Sequence, residues 1–352
     1  MKNETEASGE SRSLQGLPRR RLLTLGGATV AASVLVGLPG AAHAAREGAP
    51  SRAFAPVPPR ALRRTMPAKG YIVEPVGVRD GAFHVTDGTY NTIFFVTDDR
   101  VVVVDAPTAL GAKTLEAIRE VTANPVTHAI YSHAHNDHIG AMGIYGSGVT
   151  YVAHADTVRY LQRKSASLPR PTVVWKGRRA FQLCVDDVVL TLTDEGRAHQ
   201  PGNLFVWSGS HRVLMTVDVA FPRWAPFKNL AIAADVVAIP EAVDALLRYP
   251  FRHFVGGHLD KAVPRADIEE QRAYLEDLFA ACRRANTLVD YVQVTAGVDP
   301  NNVWAQFDTY ADAVTRRAMQ LVSPAWNEQL GGADVFLEDN CFVVTEAYRI
   351  DG

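Results

Sequence analysis

The chain has 352 residues, 47% of them hydrophobic, with 36 basic and 38 acidic side chains and a formal net charge of −2. So balanced a charge offers no electrostatic case for nucleic acid or an anionic membrane as partner. Three widely spaced cysteines, Cys184, Cys282 and Cys341, exclude a disulfide framework.

The first element is a targeting signal. Arg19-Arg20-Arg21-Leu22-Leu23 opens a run of apolar and small residues to Leu38, and Ala42-His43-Ala44 closes it. Charged start, apolar middle and A-x-A end predict a secretory signal peptide over residues 1–44, and the paired arginines resemble the twin-arginine type. Gly26, Gly27, Gly37 and Pro39 leave the run too weakly apolar for a retained membrane anchor. The expected location is secreted or periplasmic, with no stable membrane association after cleavage. Removal of residues 1–44 takes five basic and three acidic residues and leaves a net charge of −4. Export of this type carries folded proteins, so metals could be loaded before release. Residues 45–69, with Pro50, Pro56, Pro58 and Pro59, read as an extended linker.

From Tyr71 to Asp105, apolar runs alternate with turns at Asp80-Gly81, Asp87-Gly88 and Asp98-Asp99, the pattern of strands and hairpins. Gly111–Thr122 reads as a helix. A strand over Thr127–Tyr131 then runs into His133-Ala134-His135-Asn136-Asp137-His138. Three histidines at those fixed places arise by chance with a probability of about 3 × 10⁻⁵ per starting position. Imidazole and carboxylate at such spacing suit zinc and similar ions. In an extended loop, residues two apart point the same way, so His133 and His135 can grip one ion. Asp137 and His138 follow where the chain turns, placed for a second ion.

Strand and helix alternate again over Val149–Ala153 and Asp156–Lys164, where His154 is expected to start the helix rather than join the site. Residues 173–218 are strand-rich. Within them His199 lies in a turn-rich loop, Gly196–Gly202, and Asp218 ends the run Val213–Val217. His258 follows Phe254-Val255-Gly256-Gly257. Taken singly, His199 is a loop histidine, Asp218 a helix cap and His258 a buried core histidine. Beyond His258 the pattern turns helical. Ile268, Leu275, Leu278, Phe279 and Cys282 share one helical face, and Trp304, Phe307, Ala311, Val314, Ala318 and Leu321 share another. Both are expected to pack on the sheets, with homodimerisation through the same faces as the alternative. The tail from Asp334 is ambiguous between strand and helix.

The order H-x-H-x-D-H, then His, Asp and His at gaps of 61, 19 and 40 residues, resembles the metallo-β-lactamase superfamily of dinuclear metallohydrolases. The resemblance covers about residues 70 to 260. It implies an α/β fold, the αββα sandwich, over residues 70–262, with 263–352 a mainly helical extension packed on it. Carried over by position, His133, His135 and His199 would hold the first metal. Asp137, His138 and His258 would hold the second, and Asp218 would bridge both. Asp105, ending Val101–Val104, matches a superfamily position where a supporting role is expected, not ligation. A carboxylate at the bridging position is similar to the glyoxalase II and lactonase branches. Enzymes acting on β-lactams tend to carry cysteine or serine near that place.

The implied function is an exported hydrolase with two zinc ions per chain, iron or manganese being alternatives, acting on an ester, lactone or amide of a small molecule. Asp137 would orient the attacking water or pass a proton to the leaving group. The alternatives are a mononuclear iron oxidoreductase of the persulfide dioxygenase type, a β-lactam hydrolase, and a protein that holds metal without turnover. The segment after Asp218 carries Phe221, Arg223, Trp224, Phe227 and Lys228. Its aromatics are expected to line the entrance, and Arg223 or Lys228 to hold a substrate carboxylate or oxyanion.

Overall fold

The computed structural model describes residues 53–163 and 168–351; the expected signal peptide and its cleavage point lie outside them. The strands are β1 (Ile72–Pro75), β2 (Ala82–Thr86), β3 (Asn91–Val96), β4 (Val101–Val104), β5 (Val126–Ile130), β6 (Thr150–His154), β7 (Val173–Trp175), β8 (Phe181–Val185), β9 (Val188–Thr193), β10 (Phe205–Ser208), β11 (Val213–Thr216) and β12 (His253–Val255). They form a seven-stranded sheet in the order β1 to β7 and a five-stranded sheet in the order β12-β11-β10-β9-β8. The first sheet is antiparallel from β1 to β4 and parallel from β4 to β7. The second is antiparallel except where β11 pairs with β12.

The two-residue period of a strand explains the layering. Ile93, Phe95, Val102, Val104 and Ile130 face Leu190, Leu192, Val206, Val213 and Met215 of the other sheet. The alternate residues Phe94, Val101, Val103 and Ala129 face Ala117 and Ile118 of the helix Lys113–Val121. All these side chains are buried, so the strands read as continuous apolar runs, as strands covered on both faces must. On the outer face of the second sheet, Phe205, Leu214 and Phe254 meet the helices Ile239–Arg248 and Arg265–Leu288. The result is an αββα sandwich carrying C-terminal helices.

In that helical layer Ile268, Leu275, Leu278, Phe279 and Cys282 are buried, as their spacing required. The next helix, Val303–Leu321, departs from expectation. Val314 and Ala318 are buried, but Trp304 is 82% exposed and Phe307 42%. Among the described residues its buried side chains lie in the C-terminal half, so the apolar stripe runs past the edge of the core. The ambiguous tail is a helix, Leu337–Asp351.

Residues 53–69 run extended apart from a short helical turn at Pro59–Ala61 and a turn closed by Gly70 N donating to Pro67 O, and are tied to the sandwich. Arg60 pairs with Asp267 and Glu270. The Arg64 amide and guanidinium bond to Asp260, and Lys69 pairs with Glu120 at 2.6 Å.

Candidate metal centre

The candidate ligands come from loops that leave the strands at one edge of both sheets. After β5 the chain passes through Tyr131 and Ser132 to His133, and a single helical turn, Asn136–Ile139, presents Asp137 and His138. His199 lies on the loop between β9 and β10, Asp218 follows β11 and His258 follows β12. Asp105 and Asp218 both have φ of 61°, the left-handed region that costs most residues energy but that Asp tolerates. Each turns the chain sharply just past a buried strand end. Strain of this kind gathers at functional sites.

The loops are fastened individually. Leu204 N donates to Ser132 O at 2.8 Å. Ala134 N donates to Gln200 Oε1 at 2.8 Å, and Gly202 N to Asp194 Oδ1 at 3.0 Å. Asn203 Nδ2 donates to Val217 O at 2.8 Å, joining the His199 loop to the strand end that carries Asp218. Asn91 Nδ2 donates to His258 O at 2.7 Å and Gly256 O at 3.1 Å. Sequence reasoning missed these supports, and one more group, Tyr90. Its ring lies 4.8 Å from that of His258 and 5.4 Å from that of His138, and burial, then the nearby Asp137 and Asp218, raise its hydroxyl above the ordinary range. At Tyr90 and Asn91 the sequence signal was the turn Asp87-Gly88 just before them.

All seven expected ligands converge in two groups: His133, His135, His199 and Asp218, and Asp137, His138 and His258. Asp218 Oδ2 lies 3.7 Å from His133 Nε2, 3.5 Å from His199 Nε2 and 3.2 Å from His138 Nε2. Its Oδ1 lies 3.2 Å from His258 Nε2. One carboxylate thus faces ligand atoms of both groups. Within them, His199 Nε2 is 3.0 Å from His135 Nδ1, and His138 Nε2 is 3.3 Å from Asp137 Oδ2.

These separations fit a metal. Ligand atoms about 2.0–2.1 Å from a tetrahedral zinc stand about 3.3 Å from one another, inside the observed range. His133 Nε2 is buried without a hydrogen-bond partner. Its tautomer follows from the far side of the ring. Ser132 Oγ donates to Asp105 Oδ2 at 2.5 Å, so it accepts from His133 Nδ1 at 2.9 Å. That leaves the Nε2 lone pair bare and aimed at the cluster, the arrangement an outer carboxylate gives a ligating imidazole.

The electrostatics agree. Burial, then its histidine neighbours, hold His133 well below its ordinary range. Burial brings His199 down to about 4. Burial alone would raise Asp218, but His138 and the other histidines pull it well below the carboxylate range. Burial would likewise lower His138, yet Asp218 and Asp137 lift it to about 9. Burial pushes Asp105 up to about 7 against two hydrogen bonds from Ser132. The cluster therefore combines lone pairs and negative charge that a bound cation would satisfy.

The residues after Asp218 divide. The Phe221 ring stacks 6.0 Å from His258. Arg223 and Trp224 flank a cleft beside His258, but Arg223 Nε is taken by Asp267 at 2.7 Å. Trp224 Nε1 donates to Ala61 O at 3.1 Å. Phe227 turns to Phe336, with ring centroids 4.8 Å apart, and Lys228 pairs with Asp339 at 3.0 Å. Both expected anion-binding cations are already neutralised, and of the five residues only Phe221 contacts a candidate ligand through its ring. His154 caps the helix Ala155–Leu161 by accepting from Asp156 N.

Fold and site together define a metallohydrolase-type sandwich. Residues 85–250 match the profile of the Metallo-beta-lactamase superfamily and form a domain of that superfamily. No curated protein matches the chain by sequence. Among solved structures, the stereoselective inverting sec-alkylsulfatase Pisa1 from Pseudomonas sp. aligns with a TM-score of 0.58 at 16% identity. That alignment covers 79% of this chain and 50% of the alkylsulfatase, so this chain spans about half of its length. A metallo-beta-lactamase from Pontibacter korlensis aligns with a TM-score of 0.49 at 19% identity, over 58% of this chain and 100% of its own.

Proposed function

We propose that the protein is an exported, zinc-dependent dinuclear hydrolase that cleaves an ester, lactone or amide bond in a small molecule. The observation that carries the reading is the Asp218 carboxylate, within 3.2–3.7 Å of four imidazole nitrogens from three separate segments. His133, His135 and His199 would hold one cation and Asp137, His138 and His258 the other, with Asp218 shared. When bound, the cations supply Lewis acidity and a water acidic enough to ionise near neutral pH.

The chain's own groups do the rest. Asp105 and Ser132 hold the proton of His133 on Nδ1. Asp137 is half-buried at the mouth, and the carboxylate oxygen it does not give to a cation can accept a proton from the attacking water and return it to the leaving group. The Tyr90 ring packs against His138 and His258 and steadies both imidazoles. Phe221 closes the wall beside His258.

Elemental analysis of purified protein, paired with a panel of lactones, thioesters, β-lactams, phosphodiesters and sulfate esters, tests the proposal. The panel includes sulfate esters because a sec-alkylsulfatase shares the fold. Two zinc ions per chain and turnover on a carbonyl substrate are expected. In Asp218→Ala both metals should bind more weakly, because a shared carboxylate neutralises two adjacent cations. One iron per chain with oxygen consumption would replace the proposal by the persulfide dioxygenase reading.

A further inference from the structure

We infer that the protein forms a two-fold dimer in solution through the N-terminal half of the helix Val303–Leu321 and the adjoining face of Leu337–Asp351. Independently of the metal centre, this face carries apolar side chains that the described residues leave uncovered. Trp304 is 82% exposed, Val303 54%, Phe342 45% and Phe307 42%. Tyr291, 37% exposed, extends the patch, with its ring 6.3 Å from that of Phe307. These residues together expose on the order of 500 Å² of apolar surface. That is near the upper end for the largest patch on a soluble monomer. It matches the apolar share of the roughly 800 Å² that one partner contributes to a standard interface.

Shape and charge select a second copy as the occupant. The patch holds a ridge, Trp304, beside a groove of about 840 Å³ between the two helices, lined by Phe307, Ala311 and Phe342. Ridge and groove on one surface are what a two-fold interface requires, since the same patch must serve both partners. The rim carries both signs. Asp308 has no ion-pair partner among the described residues, while Arg349 pairs with Glu346 and lies over the Phe307 ring. Glu346 takes Nε and Nη2 of Arg349, so the Arg349 Nη1 edge is the donor that a second copy offers to Asp308. An anionic lipid surface would meet Asp308, Asp312 and Glu346 instead. Trp304 of each copy seats in the groove of the other.

Sedimentation velocity on the purified full chain, from about 1 to 50 µM, tests the inference. A species of twice the chain mass is expected, growing with concentration. Trp304→Glu should raise the dimer dissociation constant at least about 30-fold, as loss of a central aromatic anchor does. Because Trp304 is exposed in the monomer, far-ultraviolet circular dichroism and metal content should not change. Phe342→Ser is the second variant, from the other helix, and should act in the same direction. A wild-type chain that stays monomeric at 50 µM overturns the inference. So does a dimer that survives both substitutions, which would place the interface elsewhere. A monomer that floats with phosphatidylcholine vesicles, and stops doing so in Trp304→Glu, would assign the patch to a membrane instead.

Discussion

Gly257 stands directly before His258, and its lack of a side chain is what allows the two ligand groups to close on one another. A Cβ at this position would lie 2.4 Å from Val217 Cγ1, 2.9 Å from His138 Cε1 and 3.1 Å from Asp218 Oδ1. Val217 is fully buried between the sheets and cannot retreat, so the two candidate ligands must move. Overpacking of a filled interior costs about 1–3 kcal/mol, which for a domain of this size lowers Tm by roughly 2–10 °C. Gly257→Ala should therefore melt a few degrees lower and, more tellingly, bind its metals less tightly. The first change alone would occur at any tight glycine. The second follows only if His138 and Asp218 are ligands. Metal affinity is read by competition with a chromophoric chelator and stoichiometry by elemental analysis. A variant that loses the expected Tm but holds two metals with wild-type affinity would refute the placement of His138 and Asp218 at the metals.

Asp105→Asn keeps the side-chain volume and a residue tolerant of the left-handed turn, but removes the anion behind Ser132 and His133. Metal affinity should fall about 10–100-fold with Tm measured on metal-free protein little changed. Tyr90→Phe keeps the ring and removes only the hydroxyl near Asp137, so turnover should drop on the order of 10-fold while chelator titration still finds both metals. Glu74 is held down at about 2 by its hydrogen bond to His84, against burial and with help from Arg64. Its stabilisation is present above the ordinary carboxylate pKa and is lost as pH falls from about 4.5 to 2. With the side chain 35% exposed, the contribution is about 1 kcal/mol after screening. Glu74→Gln should therefore lower Tm at pH 7 and converge with wild type near pH 2. Mature protein from the producing cell should begin at Ala45, and replacing Arg19 and Arg20 by Lys should block its secretion; intact Met1 on exported protein would count against the signal.

How much of this was legible in the sequence depends on the range of each interaction. The hexapeptide from His133 to His138 is a local pattern, and its convergence needs only a strand end and one turn of helix. His199, Asp218 and His258 carry no local signal and were legible only through their order behind it. Tyr90, Asn91, Gln200 and Asn203 were not legible, because a tyrosine or amide acquires its role from a partner that the sheets deliver. Asn91 reaches across 167 residues to the carbonyl of His258. Trp304 and Phe307 show a second limit. Helical spacing says which side chains share a face, but not whether anything covers it. Arg223 and Lys228 show a third: a cation near a site serves an incoming anion only when no resident carboxylate reaches it first.

The parallel pairing explains why ligands so distant in sequence arrive together. In β4 and β5, Val104 pairs with Ile130, so the chain leaves both strands at the same level, with Asp105 next on one and Tyr131, Ser132 and His133 on the other. In β11 and β12, Met215 pairs with Val255, and Asp218 and His258 each follow three residues later. Parallel neighbours must end at the same edge of their sheet, whereas an antiparallel pair would send one of the two loops to the far side. His199 enters on the loop between antiparallel β9 and β10; the other ligands leave strands of a parallel pair, and the apolar packing between the sheets holds the two edges in register. A one-residue slip of β12 along β11 would turn the buried Phe254 and Val255 toward the wrong layers and carry His258 about 3.3 Å along the strand, as far as the spacing between neighbouring ligand atoms. The continuous valine and phenylalanine runs that bury these strands on both faces are thus also what fixes the geometry of the metal centre.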